Sequence, residues 1–158
     1  MAQPANLKWS RLSAIVRMPA IIFLVAVFIN YPWELAQAPL YAGFDNLSTA
    51  WWHCFVASLG DGVLVLLIFA IGALVSRKQT WFERPGAKGY VLMLMSGAFI
   101  GILVEWIAVH VAQRWAYAAS MPLVPGLAIG VVPVMQMLVL PPLIFYVAAI
   151  WTRHRPRG

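Results

Sequence analysis

Four stretches of this chain, at about 13–38, 50–75, 90–112 and 127–151, are apolar almost throughout. Each is roughly 23–26 residues long. At a rise of about 1.5 Å per residue, each reaches across a hydrocarbon core of about 30 Å as a helix. In a bilayer only helices or a closed barrel satisfy every backbone group, and runs of this length fit helices. Composition agrees, with 63% of the 158 residues hydrophobic and 10% charged, where a soluble domain carries about a quarter charged. The predicted fold class is all-α integral membrane. It is a single four-transmembrane-helix bundle spanning 1–158, with no internal repeat and no domain boundary.

The positions of the basic residues set the orientation. Lys8, Arg11 and Arg17 open the first segment, Arg77, Lys78, Arg84 and Lys88 fill the second connection, and Arg153, Arg155 and Arg157 follow the fourth segment. Ten of the eleven Lys and Arg therefore share one side, and Arg114 alone lies on the other. Positive residues mark the cytoplasmic face, so both termini are expected there, in a multi-pass membrane protein. The net charge of +6 is this topology signal, and nothing in the sequence supports a nucleic-acid partner. The basic start, apolar run and Ala36-Gln37-Ala38 resemble a secretory leader with its cleavage site. Trp33 and Glu34 before the supposed cut, and Pro39 directly after it, argue for a retained helix instead.

With the orientation set, the polar residues sort by depth. Asn30, Glu34, Gln37 and Tyr41 fall at i, i+4, i+7 and i+11, one polar stripe if the helix continues that far. On the second segment, Cys54, Ser58 and Asp61 share a face, with His53 beside it. On the third, Gly97, Gly101 and Glu105 are spaced by four, a close-packing face that carries Glu105 into the bundle. On the fourth, Gln136 comes to a depth close to that of Asp61, and Gly126 and Gly130 repeat the four-residue spacing at the segment's start. His110 lies at the outer interface. The inner half is almost wholly apolar. The expectation is an outward-opening pocket walled by Glu34, Asp61 and Glu105. Its lid is the 114–126 connection, where Arg114 pairs with Glu105 or holds a phosphate and Trp115 and Tyr117 sit at headgroup level.

Most of these residues have a plain packing role available. Asn30, Ser58 and Gln136 fit helix–helix hydrogen bonds, Cys54 a small apolar filler, and Met93, Met95, Met135 and Met137 core or lipid contact. His53 and His110 fit interfacial anchors. Buried carboxyls fit such a role poorly, because a charge near the bilayer centre costs roughly 2.5–3.5 kcal/mol on insertion scales.

The PWELAQAPLY, HCFVASLGD, RWAYAASMPLVPG and PVMQMLVLPP stretches resemble a group of small bacterial four-helix inner-membrane proteins, over about 30–142. That resemblance implies the architecture, a location in a bacterial inner (plasma) membrane and the same polar residues, and it implies no activity. A looser likeness is to membrane carotenoid-modifying enzymes, which place acidic residues within short helices near a Trp-x-Tyr stretch.

Three functional readings follow. The first is an intramembrane acid/base enzyme acting on a lipid or isoprenoid-like small molecule, with Glu34, Asp61, Glu105 and His53 catalytic and Asn30, Gln37, Tyr41, Arg114, Tyr117 and Gln136 binding. The second is a haem or metal protein. His53 and His110 would be the haem ligands with Arg114 at a propionate, or Glu34, His53, Asp61 and Glu105 would hold a zinc- or iron-like ion. The third is a non-catalytic accessory subunit or small carrier. No nucleophile motif or Gly-rich phosphate loop is present, and a single cysteine, Cys54, leaves no internal disulfide and no multi-cysteine metal site.

Overall fold

A computed structural model describes residues 5–44 and 46–153, with side chains from Val16 onward except at 45, 47 and 49. The side chains of Lys8 and Arg11, and all of Arg155 and Arg157, lie outside the described residues. The chain is all-helical: α1 Ala5–Gln37, α2 Leu47–Ser76, α3 Gly86–Trp106 and α4 Val131–Arg153. All four are long and apolar enough to cross a membrane, through Val16–Leu40, Ala50–Ser76, Gly86–Val111 and Val131–Arg153. Their outward faces are as apolar as their inward ones, with Phe28 81% and Leu74 78% exposed.

Local chemistry sets the helix ends. Gln37 closes α1 into a 3-10 turn at Ala38–Leu40, and Tyr41 is extended at φ −108°, ψ 141°. The polar stripe expected on one helix therefore ends at Gln37, and Tyr41 has left it. Arg77 ends α2 in the left-handed region at φ 56°. A π-helical turn at Ile107–Val111 prolongs α3, with Ala112 N–H donating to the Ile107 carbonyl at 2.8 Å.

Helix α4 begins four residues later than its apolar composition indicates. Residues 122–131 close on themselves: Val124 N–H donates to Ile129 O and Val131 N–H to Pro122 O, both at 2.8 Å. Gly126, at φ 79°, turns the chain there as few other residues would. Gly126 and Gly130 thus form no helix face, contrary to their spacing.

The helices form an up-and-down ring. α1 packs on α2 and α4, α3 packs on α4, and α2 and α3 touch least of the neighbouring pairs. One core runs through all four, built from residues such as Ile22, Ile68, Met93, Ile144 and Phe145. At the α3–α4 contact, backbone meets backbone. Pro141 offers no N–H to the Met137 carbonyl four residues back. That carbonyl instead faces Gly97, where an added Cβ would stand 2.1 Å from it. A Cβ on Gly101 would meet Met137 Cβ at 3.0 Å. Gly97→Ala is therefore expected to lower the thermal unfolding midpoint in mild detergent by overpacking, about 1–3 kcal/mol. A Cβ on Gly60 meets nothing within 4 Å, so Gly60→Ala is the control and should leave the midpoint unchanged or slightly raised.

The 77–85 connection also dips into the bundle. Trp81 and Phe82 are buried in a 3-10 turn, and Trp81 Nε1 donates to the Phe69 carbonyl at 3.1 Å. The ring lies on Gly72, where a Cβ would come within 2.1 Å of it. This basic end is thereby plugged. The 38–46 and 112–130 connections share the opposite, lid end.

Candidate functional site: a carboxyl–amide cluster under a tethered lid

Gln136, 2% exposed on α4, is the hub of the polar cluster. Its Nε2 stands 2.9 Å from Asn30 Oδ1, 2.8 Å from Glu34 Oε1 and 2.8 Å from Asp61 Oδ2. Its Oε1 accepts from Gln37 Nε2 at 2.9 Å, and the same Gln37 nitrogen donates to Glu34 Oε1 at 2.7 Å. Three helices thus meet in one network, with α1 contributing a residue at each of three successive turns. Asn30 is held in place by its own amide, which donates to the Ala26 carbonyl at 2.9 Å.

Donors are scarce here. The Gln136 amide nitrogen has two hydrogens and faces three acceptors. Glu34 Oε1 and Asp61 Oδ2 meet on the one Gln136 nitrogen, each at 2.8 Å, and a proton on either acid relieves the repulsion of two like charges held so near. Gln37 Oε1 is buried and has no partner. Flipping the Gln37 amide would set its oxygen against Glu34 Oε1 and Gln136 Oε1, so the network fixes the orientation.

Glu105 forms a second centre above this one. It is 6% exposed, and the Tyr117 hydroxyl donates to its Oε2. Tyr117 thus takes the place that the sequence reading gave to Arg114. Arg114 is exposed, its backbone N–H held by the Ala108 carbonyl at 2.8 Å. The Trp115 indole N–H is buried and points toward the Glu105–Tyr117 pair without full hydrogen-bond geometry to either. Gly130 makes room for Tyr117, since a Cβ there would meet its ring at 3.1 Å.

Tyr117 belongs to a lid tethered by backbone. Ala42 N–H donates to Ala116 O and Ala118 N–H to Leu40 O, both at 2.9 Å, an antiparallel bridge that pairs Tyr41 with Tyr117. The Tyr41 ring lies 5.6 Å from that of Tyr117 and 6.2 Å from that of Trp115. Burial, and then the neighbouring carboxyl Glu105, hold both phenols above the ordinary tyrosine range. Both therefore stay donors at neutral pH. An unfolded tyrosine loses its proton near pH 10 while these two keep theirs, so the unfolded state binds fewer protons and stability falls as pH rises through that point. Thermal midpoints between pH 8 and 11 should show this fall, and Tyr41→Phe/Tyr117→Phe should flatten it.

The histidines stand apart from the carboxyl pair. His53 is exposed, with its ring 5.2 Å from that of Phe44. His110 Nε2 is 3.0 Å from the Leu127 carbonyl, and its ring packs on Trp106. Among the described residues no three His, Cys, Asp or Glu side chains gather closely enough to hold an ion. Glu34, His53, Asp61 and Glu105 therefore do not form the ligand set that their depths implied. Cys54 Sγ lies 3.5 Å from the Glu34 carbonyl, which packs α2 on α1.

A cavity of about 200 Å³ lies at the basic end, lined by Phe82, Tyr90, Phe145, Tyr146 and Arg153 among others. Sequence reasoning gave no sign of it, because it depends on the buried turn at Trp81–Glu83. No family model, curated protein or solved structure matches this chain.

Proposed function

We propose that this chain is a multi-pass protein of a bacterial inner membrane, with both termini cytoplasmic, and that its carboxyl–amide cluster performs acid/base chemistry on a lipid or isoprenoid-like substrate. Six described basic residues, Arg17, Arg77, Lys78, Arg84, Lys88 and Arg153, belong to the basic end, which supports the orientation. A reporter fused after Gly158 should read as cytoplasmic.

The observation that carries the reaction class is that Glu34 Oε1 and Asp61 Oδ2 share the Gln136 amide nitrogen, each at 2.8 Å. A carboxyl pair sharing one proton both gives and takes. One carboxyl donates its proton to a substrate carbon or oxygen while the other accepts a proton leaving a second atom. The net change is a proton-neutral rearrangement, such as a double-bond shift or ring closure, and it needs no co-reactant. The low dielectric of a bundle interior strengthens such transfers. His53, exposed on Phe44, takes no part in this reading.

The test is chemical. Lipid extracts of cells expressing the protein, Glu34→Gln or vector alone are compared by mass spectrometry. A species of unchanged mass but shifted retention should appear with the wild type and be reduced about 10²–10⁴-fold with Glu34→Gln. Identical extracts in all three would overturn the assignment.

A further inference from the structure

The cavity at the basic end is walled by one stripe of α4. Pro142, Phe145, Tyr146, Ala149 and Arg153 line it, and their spacing puts them on one face of the helix. From Pro142 to Arg153 the stripe runs for about 16 Å. Met93 and Tyr90 of α3 and Phe82 of the buried turn complete the walls. Phe82, Met93, Phe145 and Ala149 are buried and form the inner side, while Tyr90 and Tyr146 are 47% and 61% exposed. The cavity therefore reaches the outer surface of the bundle. It lies within the last turns of the Val131–Arg153 span, so in the membrane reading that surface faces lipid at the cytoplasmic end of the bilayer.

Charge is confined to one end of this cavity. Arg153 closes α4, and Glu83 sits on the facing turn. The Arg153 guanidinium donates to the Glu83 backbone carbonyl, which ties helix to turn and uses one of its five N–H donors. The bond takes the carbonyl and not the carboxylate. The mouth thus holds a cation with donors to spare beside an anion, and the deeper walls are apolar apart from two phenols. Such a cavity suits an amphiphile with its head at Arg153 and its chain directed toward Pro142, which is how a lipid of that leaflet lies. A head that was only anionic would meet Glu83 as a like charge. A head with a phosphate and an ammonium matches both side chains. A cavity of about 150 Å³ accepts a benzene-sized molecule, so about 200 Å³ takes a headgroup and the first carbons of a lipid. The remaining chain lies outside, over the exposed Leu143 and Tyr146.

We propose that this cavity binds a phospholipid of the cytoplasmic leaflet whose headgroup carries both a phosphate and a primary ammonium, the phosphate held by Arg153 and the ammonium by the Glu83 carboxylate. The bound lipid fastens the 77–85 connection to the end of α4. This rests on the membrane reading above and not on the reaction assigned to the carboxyl–amide cluster. A protein that binds this lipid and rearranges none loses the enzyme and keeps the site.

Native mass spectrometry of the purified full chain in mild detergent, titrated with single lipids of identical dioleoyl chains, reads affinity by headgroup. The phosphoethanolamine lipid is expected to bind about tenfold tighter than the phosphocholine lipid, whose ammonium has no N–H, or the phosphoglycerol lipid, which has no ammonium. Dioleoylglycerol, without a phosphate, should bind more weakly still. Arg153→Gln should weaken every phospholipid about tenfold, and Glu83→Gln should erase the preference among them. Ala149→Leu fills the cavity and should abolish binding, with a thermal midpoint unchanged or raised. Lys88→Gln, at the same end but outside the cavity, should change nothing. Equal affinity for the three headgroups, a preference that survives Glu83→Gln, binding retained in a folded Ala149→Leu, or a loss in Lys88→Gln as large as in Arg153→Gln would each overturn the proposal. So would displacement of the lipid by equimolar free phosphoethanolamine, which would make the ligand a soluble one.

Discussion

Gln136→Met is expected to cost the bundle about 3–5 kcal/mol, the largest loss of any single substitution in the cluster. Methionine matches glutamine in length and shape, so it leaves little cavity and isolates the polar effect. It removes the donor that, among the described residues, reaches Asn30, Glu34 and Asp61 together, and the acceptor that holds Gln37. Each buried group left without a partner costs about 1–3 kcal/mol, and relaxation of the long Glu34 side chain recovers part of the sum. Thermal unfolding in mild detergent reads the loss directly. Met135→Leu, one residue away on an exposed face, should leave the midpoint where it is. An unchanged midpoint for Gln136→Met would mean that the amide is incidental and that the three helices are held by apolar packing alone.

That a neutral amide occupies the centre explains why the cluster was only partly legible in the sequence. The depth of each residue follows from counting along four apolar segments, so the approach of Asp61 to Gln136 was readable. So was the face made by Gly97, Gly101 and Glu105, because small residues at four-residue spacing have one geometric use between helices. Which partner each carboxyl would choose was not. Glu105 meets Tyr117 because the 112–130 segment folds back on itself and pairs with Leu40–Ala42, and those contacts are backbone bonds that no side-chain pattern announces. The same segment misplaced the start of α4, since Leu127, Ala128 and Ile129 are apolar whether or not they are helical.

The basic end hid its structure for a related reason. Trp81 and Phe82 sit among Arg77, Lys78, Arg84 and Lys88, and a charged connection is ordinarily solvated. Gly72 and the Phe69 carbonyl receive the Trp81 ring and its N–H, a docking visible only once the helices are placed. At this end the fold stabilises itself with aromatic burial. At the lid end it holds carboxyl groups that cost stability, a division that fits structure at one end and chemistry at the other.

That division makes Asp61→Asn the sharpest test of whether the carboxyl pair is there for chemistry. Asparagine keeps the size of aspartate and keeps an oxygen for Gln136 Nε2. Its amide hydrogens supply a donor to Glu34, in a cluster that is short of donors. The fold should therefore gain stability, by about 1–2 kcal/mol, as substitutions that relieve an active site commonly do. The rearranged lipid predicted for the wild type should fall about 10²–10⁴-fold, because the amide holds its hydrogens and cannot exchange a proton with Glu34 or with substrate. The two readouts must move in opposite directions. If stability and product fall together, Asp61 is a packing residue and its neighbours carry the reaction. If stability rises and product persists, the shared proton is not the one transferred. Only a more stable protein that no longer rearranges its substrate matches a carboxyl kept for acid/base work.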